Sequence, residues 1–157
     1  MPHQTAPRYY AENRKARHDF ETLETFQGGL ELLGWEVKSV REGGAKIDGG
    51  HITVMKGELW LIGAHIKPYS KAGTLPAESA DRTRKILVHR KELAYLAGKT
   101  QEKGLTLVPF SLYPARHRIK ISFGVCRGRK AHDKREKLKQ QDLARSIRRV
   151  LRGEDVE

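Results

Sequence analysis

Between residues 35 and 125 most apolar residues recur in short runs with a period of two, and glycines separate most of these runs. This alternation constrains the fold most, because successive side chains point to opposite faces of a strand whereas a helix repeats every 3.6 residues. Trp35, Val37 and Ser39 alternate with Glu36, Lys38 and Val40, which predicts a strand, and Gly43-Gly44 and Gly49-Gly50 read as turns after it. Ile52 and Val54 alternate with Thr53 and Met55, Lys56-Gly57 turns the chain, and residues 59–66 return as a mostly apolar strand. Further strands are expected at 86–88, 105–113 and 118–125.

A helical period shows in fewer places. Phe26, Leu30 and Leu33 stand at helical spacing with Gly34 where a glycine commonly stops a helix, so a short helix is predicted over 24–33. Leu93, Leu96 and Ala97 share one face of an amphipathic helix over 91–103 that ends near Gly104. Residues 68–81 hold Gly73, Pro76 and small polar residues and are expected to form a long loop. About six short strands, Gly-rich turns and one or two helices define a mainly β fold with flanking helices. The expected architecture is a small OB-like antiparallel β-barrel.

The chain of 157 residues suits one domain. We expect a flexible arm over 1–12, the barrel over 13–127 and a basic tail over 128–157. In the tail, Leu143, Ala144, Ile147, Val150 and Leu151 gather on one side of a helical wheel, with Arg145, Arg148, Arg149 and Arg152 opposite. Asp133 followed by Glu136 has the spacing of a helix N-cap and its returning acid. The single cysteine, Cys126, is expected as a small buried residue late in a strand.

Charge narrows the partner. Thirty-one Lys and Arg against 19 Asp and Glu leave +12, of which +5 lies in residues 127–157 and +7 in residues 1–126. Such an excess implies a polyanion. Basic residues interleave with aromatics at Arg8-Tyr9-Tyr10, near Arg14 and Arg17, and at Tyr113, near Arg116 and Arg118. Arginine pairs with phosphate and aromatic rings stack on bases. No apolar run approaches the roughly 20 residues that cross a bilayer, and no apolar stretch follows the N-terminal cations, so a cytoplasmic protein without a membrane partner is expected.

Catalytic signatures are missing from the sequence. The seven histidines stand singly, without metal-ligand spacing, and no phosphate-binding Gly-rich loop or Gly-x-Ser-x-Gly elbow occurs. No catalytic site, metal or cofactor is expected. Composition and motifs leave two other readings open: an OB protein with little preference among RNAs, and an RNA-processing enzyme built on scattered His and Asp.

Asn13-Arg-Lys-Ala-Arg-His-Asp-Phe20 resembles the entry motif of the SsrA-binding protein family, SmpB. Further segments agree in order: Gly34-Trp-Glu-Val-Lys-Ser39, Gly57-Glu58 with His65-Ile-Lys-Pro-Tyr69, and Arg82-Thr-Arg-Lys85 with Ile86-Leu-Val-His89. Gly104-Leu-Thr-Leu-Val-Pro109 with Tyr113, and Gly128-Arg-Lys-Ala-His-Asp-Lys-Arg135, complete the match. The resemblance implies an OB-like barrel that binds the tRNA-like domain of transfer-messenger RNA (tmRNA) without catalysis. It also implies a tail, disordered when free and helical on the ribosome, that enters the vacant messenger channel and meets small-subunit rRNA at the decoding centre. Elongation factor Tu would join indirectly, through alanyl-tmRNA.

Carried over by motif position, the tmRNA-facing residues are Asn13, Arg14, Arg17, Gln27, Lys38, Lys85, Leu87 and Lys120. The tail residues for the decoding centre are Gly128, Arg129, Lys130, His132, Asp133, Lys134 and Arg135. Gln27 stands where the family commonly has Glu and His132 where Tyr is frequent, while the loop over 70–80 lacks the family's usual Asn-His pair. By burial statistics alone Leu87 would be core, Asp133 could serve only as a cap, and Lys38 would sit on a strand.

Overall fold

The computed structural model describes residues 9–128, 141 and 143–148. The strands are β1 (Ala11–Glu12), β2 (Phe20–Leu30), β3 (Ala45–Lys46), β4 (His51–Met55), β5 (Glu58–Ile62), β6 (His65–Ile66), β7 (Arg84–Leu87), β8 (Leu105–Ala115) and β9 (Arg118–Gly128). The helices are α1 (Ala16–Asp19), α2 (Gly34–Arg41) and α3 (Arg90–Gln101).

In the main sheet all pairings are antiparallel and run β8–β4–β5–β7–β2–β9, and β9 pairs again with β8. Six strands therefore close on themselves, which leaves few open edges. β1 joins β8 beyond β4, with Ala11 opposite Leu112 and Glu12 opposite Ser111. The expected barrel with flanking helices is thus the observed fold.

Alternation fills the interior. On β9, Ile119, Ile121, Phe123 and Val125 are buried. Leu59 and Leu61 of β5, Ile86 of β7, and Leu107 and Leu112 of β8 meet them in one core, joined by Leu96 from α3. Each fully buried side chain of this size contributes about 1.5–3 kcal/mol. Cys126 lies in a small satellite cluster with Ala16 and Val108, and burial pushes its thiol pKa up. It is the inert small residue expected.

Two elements differ from expectation, and the physical reasons are local. Residues 24–30, expected as a helix, belong to strand β2. A spacing of four, as between Phe26 and Leu30, is even as well as helical, so it also places both residues on one strand face. Phe26 stacks on Phe123 with ring centres 5.9 Å apart, and Leu30 is buried. Gly28 is required by packing: a Cβ there would lie 2.8 Å from Ile86 Cγ2 and 2.9 Å from the Leu87 carbonyl oxygen.

The expected strand over 35–40 is helix α2, and Gly34 opens it rather than ending the element before it. Glu36, Ser39 and Val40 are its buried residues, a spacing of three and four. At its start the Glu36 carboxylate accepts the Leu33 N–H at 2.8 Å, satisfying one of the free donors of a first turn. At its end Gly43 takes φ +85° and donates to the Val40 carbonyl, while Gly44 donates to the Ser39 carbonyl. These are the paired bonds of a Schellman stop. The Gly-Gly pair therefore ends a helix instead of turning a hairpin, and Lys38 is a helix residue.

Smaller differences follow from glycine geometry and pairing. The run over 59–66 breaks at Gly63, whose φ is +79°, and β6 turns away to pair with β3 in a separate two-stranded sheet. Residues 11–12 of the expected arm already belong to the barrel as β1. The loop over 68–81 contains two 3₁₀ turns, Ser70–Ala72 and Ala77–Asp81. In the tail, residues 143–148 are helical, with Leu143 63% and Ile147 52% exposed. The Asp133–Glu136 cap lies outside the described residues.

Candidate nucleic-acid interface

The barrel presents one outer face assembled from four neighbouring strands. Gly29 of β2 is opposite Leu87 of β7 on one side and Lys120 of β9 on the other, and Lys120 is opposite Tyr113 of β8. Residues directly opposite on paired strands point to the same side of the sheet. Their sequence neighbours Ile86, Gly28, Ile121 and Leu112 are buried, so Leu87, Gly29, Lys120 and Tyr113 form an outward row. Beside it a second row joins Gln27, Ser122 and Ser111, and Glu12 extends it onto β1.

Leu87 is 48% exposed, so the composition-based expectation of a core residue does not hold. Gly29 places bare backbone between Leu87 and Lys120. Tyr113 carries a buried hydroxyl with no hydrogen-bond partner among the described residues, and burial pushes its pKa up. That leaves an unused donor within the outward row. Lys85, two residues before Leu87, donates to Glu58 Oε1 at 2.8 Å, and this hydrogen bond raises its pKa.

A groove of about 470 Å³ continues the face toward the N-terminal side. Arg14, Arg17 and His18 line it together with the hydroxyl residues Thr22, Thr25, Ser111 and Ser122 and the rings of Tyr9 and Phe110. Arg14 is 89% exposed, with Glu12 at 3.8 Å. Guanidinium groups and hydroxyls together suit phosphate and ribose.

Asn13 plays a different part from its neighbours. It is 7% exposed, and its amide donates to the Pro109 carbonyl at 2.9 Å while its backbone N–H donates to the Phe110 carbonyl at 2.7 Å. It fixes the start of α1 against β8 and so aims Arg14 and Arg17 outward. Lys38 stands apart from the strand rows, on α2, with its ammonium 5.7 Å from the centre of the Tyr69 ring. Gly128 ends β9, opposite Phe20. Arg129, Lys130, His132, Asp133, Lys134 and Arg135 lie outside the described residues.

The support beneath this face was not legible in the sequence. Glu36 and Arg84 are both fully buried, and Arg84 Nε donates to Glu36 Oε2 at 2.7 Å. The other nitrogens of Arg84 donate to the carbonyls of Ala64, Ser79 and Ala80, and Arg82 reaches the second Glu36 oxygen. Burial works to raise the Glu36 pKa, but hydrogen bonds from Arg82, the Leu33 backbone and Arg84 outweigh it and hold it below the ordinary carboxylate value. This cluster ties α2, the loop before β7, and β7 itself into one unit, and β7 carries Lys85 and Leu87. Glu36 and Arg84 lie in separate motifs 48 positions apart, so no local spacing announces the pair.

Among the described residues no three His, Cys, Asp or Glu gather as metal ligands, and no helix is long and apolar enough to cross a membrane. A six-stranded closed barrel with a basic, partly apolar outer face has the architecture of the small nucleic-acid-binding barrels. The family model for SmpB protein matches residues 10–153, and the chain belongs to the SmpB family. It is 45% identical to the SsrA-binding protein of Trichormus variabilis over 142 residues, covering 90% of this chain and 92% of that one. Identity to the SsrA-binding protein of Frankia casuarinae is 46% over 151 residues, covering 96% of this chain and 94% of that one. A solved chain described as "tmRNA-SmpB: a journey to the center of the bacterial ribosome" is similar in structure, with TM-score 0.62 and 45% identity over 76% of this chain and 84% of that one.

Proposed function

We propose that the chain binds the tRNA-like domain of tmRNA and delivers it to stalled ribosomes for trans-translation. The outward row of Leu87, Gly29, Lys120 and Tyr113 carries this reading, because strand register brings together residues from four separate strands and sets the Lys120 cation across Gly29 from the exposed Leu87. Arg14 and Arg17 supply phosphate contacts at one end, Lys120 supplies another within the row, and Gln27 offers both a donor and an acceptor. Asn13 contributes by positioning. Lys38 meets RNA from α2, outside the row.

The tail beyond Gly128 takes its stable helical form on the ribosome, where it enters the vacant messenger channel. Arg129, Lys130, His132, Asp133, Lys134 and Arg135 meet small-subunit rRNA at the decoding centre. Exposure of Leu143 and Ile147 supports this division, since a helix packed on the barrel would cover them. Fixing a residue costs about 1–2 kcal/mol of backbone entropy, and a short helix alone does not offset that in water. The protein acts by binding, without catalysis, in the cytoplasm where ribosomes stall, and elongation factor Tu joins only through alanyl-tmRNA.

A purified rescue reaction on ribosomes halted at a message end tests this reading. The combined Asp133→Ala, Lys134→Ala and Arg135→Ala variant is expected to bind tmRNA within about twofold of the native chain and to lose peptide tagging. Tagging at the native level would contradict the role given to the tail.

A further inference from the structure

Beside the outward row, a pocket of about 350 Å³ opens between β5, β7 and the start of α3. Gly57, Glu58, Lys85, Leu87, Arg90 and Leu93 line it. Its polar centre is the Lys85–Glu58 pair, and the two side chains are 32% and 41% exposed, so both face an incoming ligand. Glu58 Oε1 holds the Lys85 ammonium, while Oε2 takes no hydrogen bond among the described residues. The pocket wall is apolar at Leu87 and Leu93, and Gly29 leaves the approach beside Leu87 open; a Cβ at Gly29 would lie 3.6 Å from Leu87 Cβ.

A phosphate does not fit this chemistry. The Lys85 charge is already matched, and a carboxylate repels a phosphate where the remainder of the face attracts it. A neutral planar ligand does fit, if it brings N–H donors for Glu58, an oxygen acceptor for Lys85 and a flat surface for Leu87. Nucleobases in unpaired RNA are recognised through such edges and faces. Among them guanine alone sets two adjacent N–H donors beside a carbonyl oxygen on its Watson–Crick edge. We infer that this pocket takes one unpaired guanine, with Glu58 accepting from N1–H and N2–H and Lys85 donating to O6. The inference rests on the outer face being the RNA interface and adds a base-reading residue, Glu58, to it.

Binding of the full chain to single-stranded heptamers of uridine with one central G, inosine, A, C or U, at one fixed salt concentration, tests it. The G heptamer is expected to bind roughly tenfold more tightly than the A, C and U heptamers, the scale of one good bidentate pair. Inosine, which keeps N1–H and O6 but lacks the N2 amine, falls between. The G heptamer also shifts the Gly57 and Leu87 amide resonances, and Glu58→Gln brings G down to the level of the other bases. Equal affinity for all five heptamers overturns the inference, with no variant needed. Stronger binding of every heptamer to Glu58→Gln by one common factor overturns it too, since Glu58 would then act only as a charge brake. Binding to the tRNA-like domain is measured beside the heptamers. Loss of that binding with guanine preference intact refutes only the proposed function, and the reverse result refutes only the guanine pocket.

Discussion

Glu36 is the residue on which the geometry of the outer face most depends. Removing one partner of a buried ion pair strands the other charge away from water, and Glu36→Ala is expected to cost about 3–5 kcal/mol in denaturant unfolding. The pH dependence follows from the direction of the shift. The folded-state pKa of Glu36 lies below its ordinary value of 4.5, so its contribution is present above that value and is lost as pH falls through the folded-state pKa. Glu36→Gln should therefore be less stable at pH 7 and show a flatter acid limb below the ordinary carboxylate value of 4.5 than the native chain. Parallel acid limbs in the two proteins would contradict this account. The exposed cations were legible from composition and motif, whereas the buried pair beneath them was not, because its partners meet only through tertiary packing.

Strand-scale features explain which expectations held. The alternation from Ile119 to Val125 is unambiguous, and β8 and β9 begin where the pattern puts them, at 105 and 118, although β8 carries a register shift between Pro109 and Ser111 and both strands run past the expected ends at 113 and 125. Over 24–33 and 35–40 two periods compete. Phe26 and Leu30 satisfy both, while the alternation from Trp35 to Val40 is overridden by burial at Glu36, Ser39 and Val40 and by the stop at Gly43-Gly44. Register, which gathers Gln27, Lys120, Leu87 and Tyr113 on one face, has no local signature and could not be read before the pairings were known. The two strand glycines of β2 separate structure from surface. Gly28→Ala drives a methyl into Ile86 and the Leu87 carbonyl and is expected to cost about 1–3 kcal/mol in thermal or denaturant unfolding. Gly29→Ala meets only ordinary contact and should stay within about 0.5 kcal/mol while narrowing the space beside Leu87. If the two variants lost stability equally, the assignment of inner and outer faces on β2 would be wrong.

For the molecule as a whole, +7 in residues 1–126 and +5 in the remainder place cations on both parts, and the proposed division of labour gives tmRNA to the first and the ribosome to the second. If about eight phosphates are neutralised, log K should fall with log salt at a slope of roughly −6 to −7, and Arg17→Ala or Lys120→Ala should each reduce its magnitude by about one unit. A slope near zero would remove the electrostatic basis of the reading. The most direct measurement is competition, at one fixed salt concentration, between the tRNA-like domain of tmRNA and an unrelated RNA of equal length. It is made for the full chain and for a chain ending at Gly128, which keeps β9 whole. Both are expected to prefer the tRNA-like domain by at least about a hundredfold, some 2.7 kcal/mol, with truncation weakening that binding by less than about tenfold. Equal affinity for the two RNAs, or loss of the preference on truncation, would contradict the claim that the barrel face is the tmRNA-binding site.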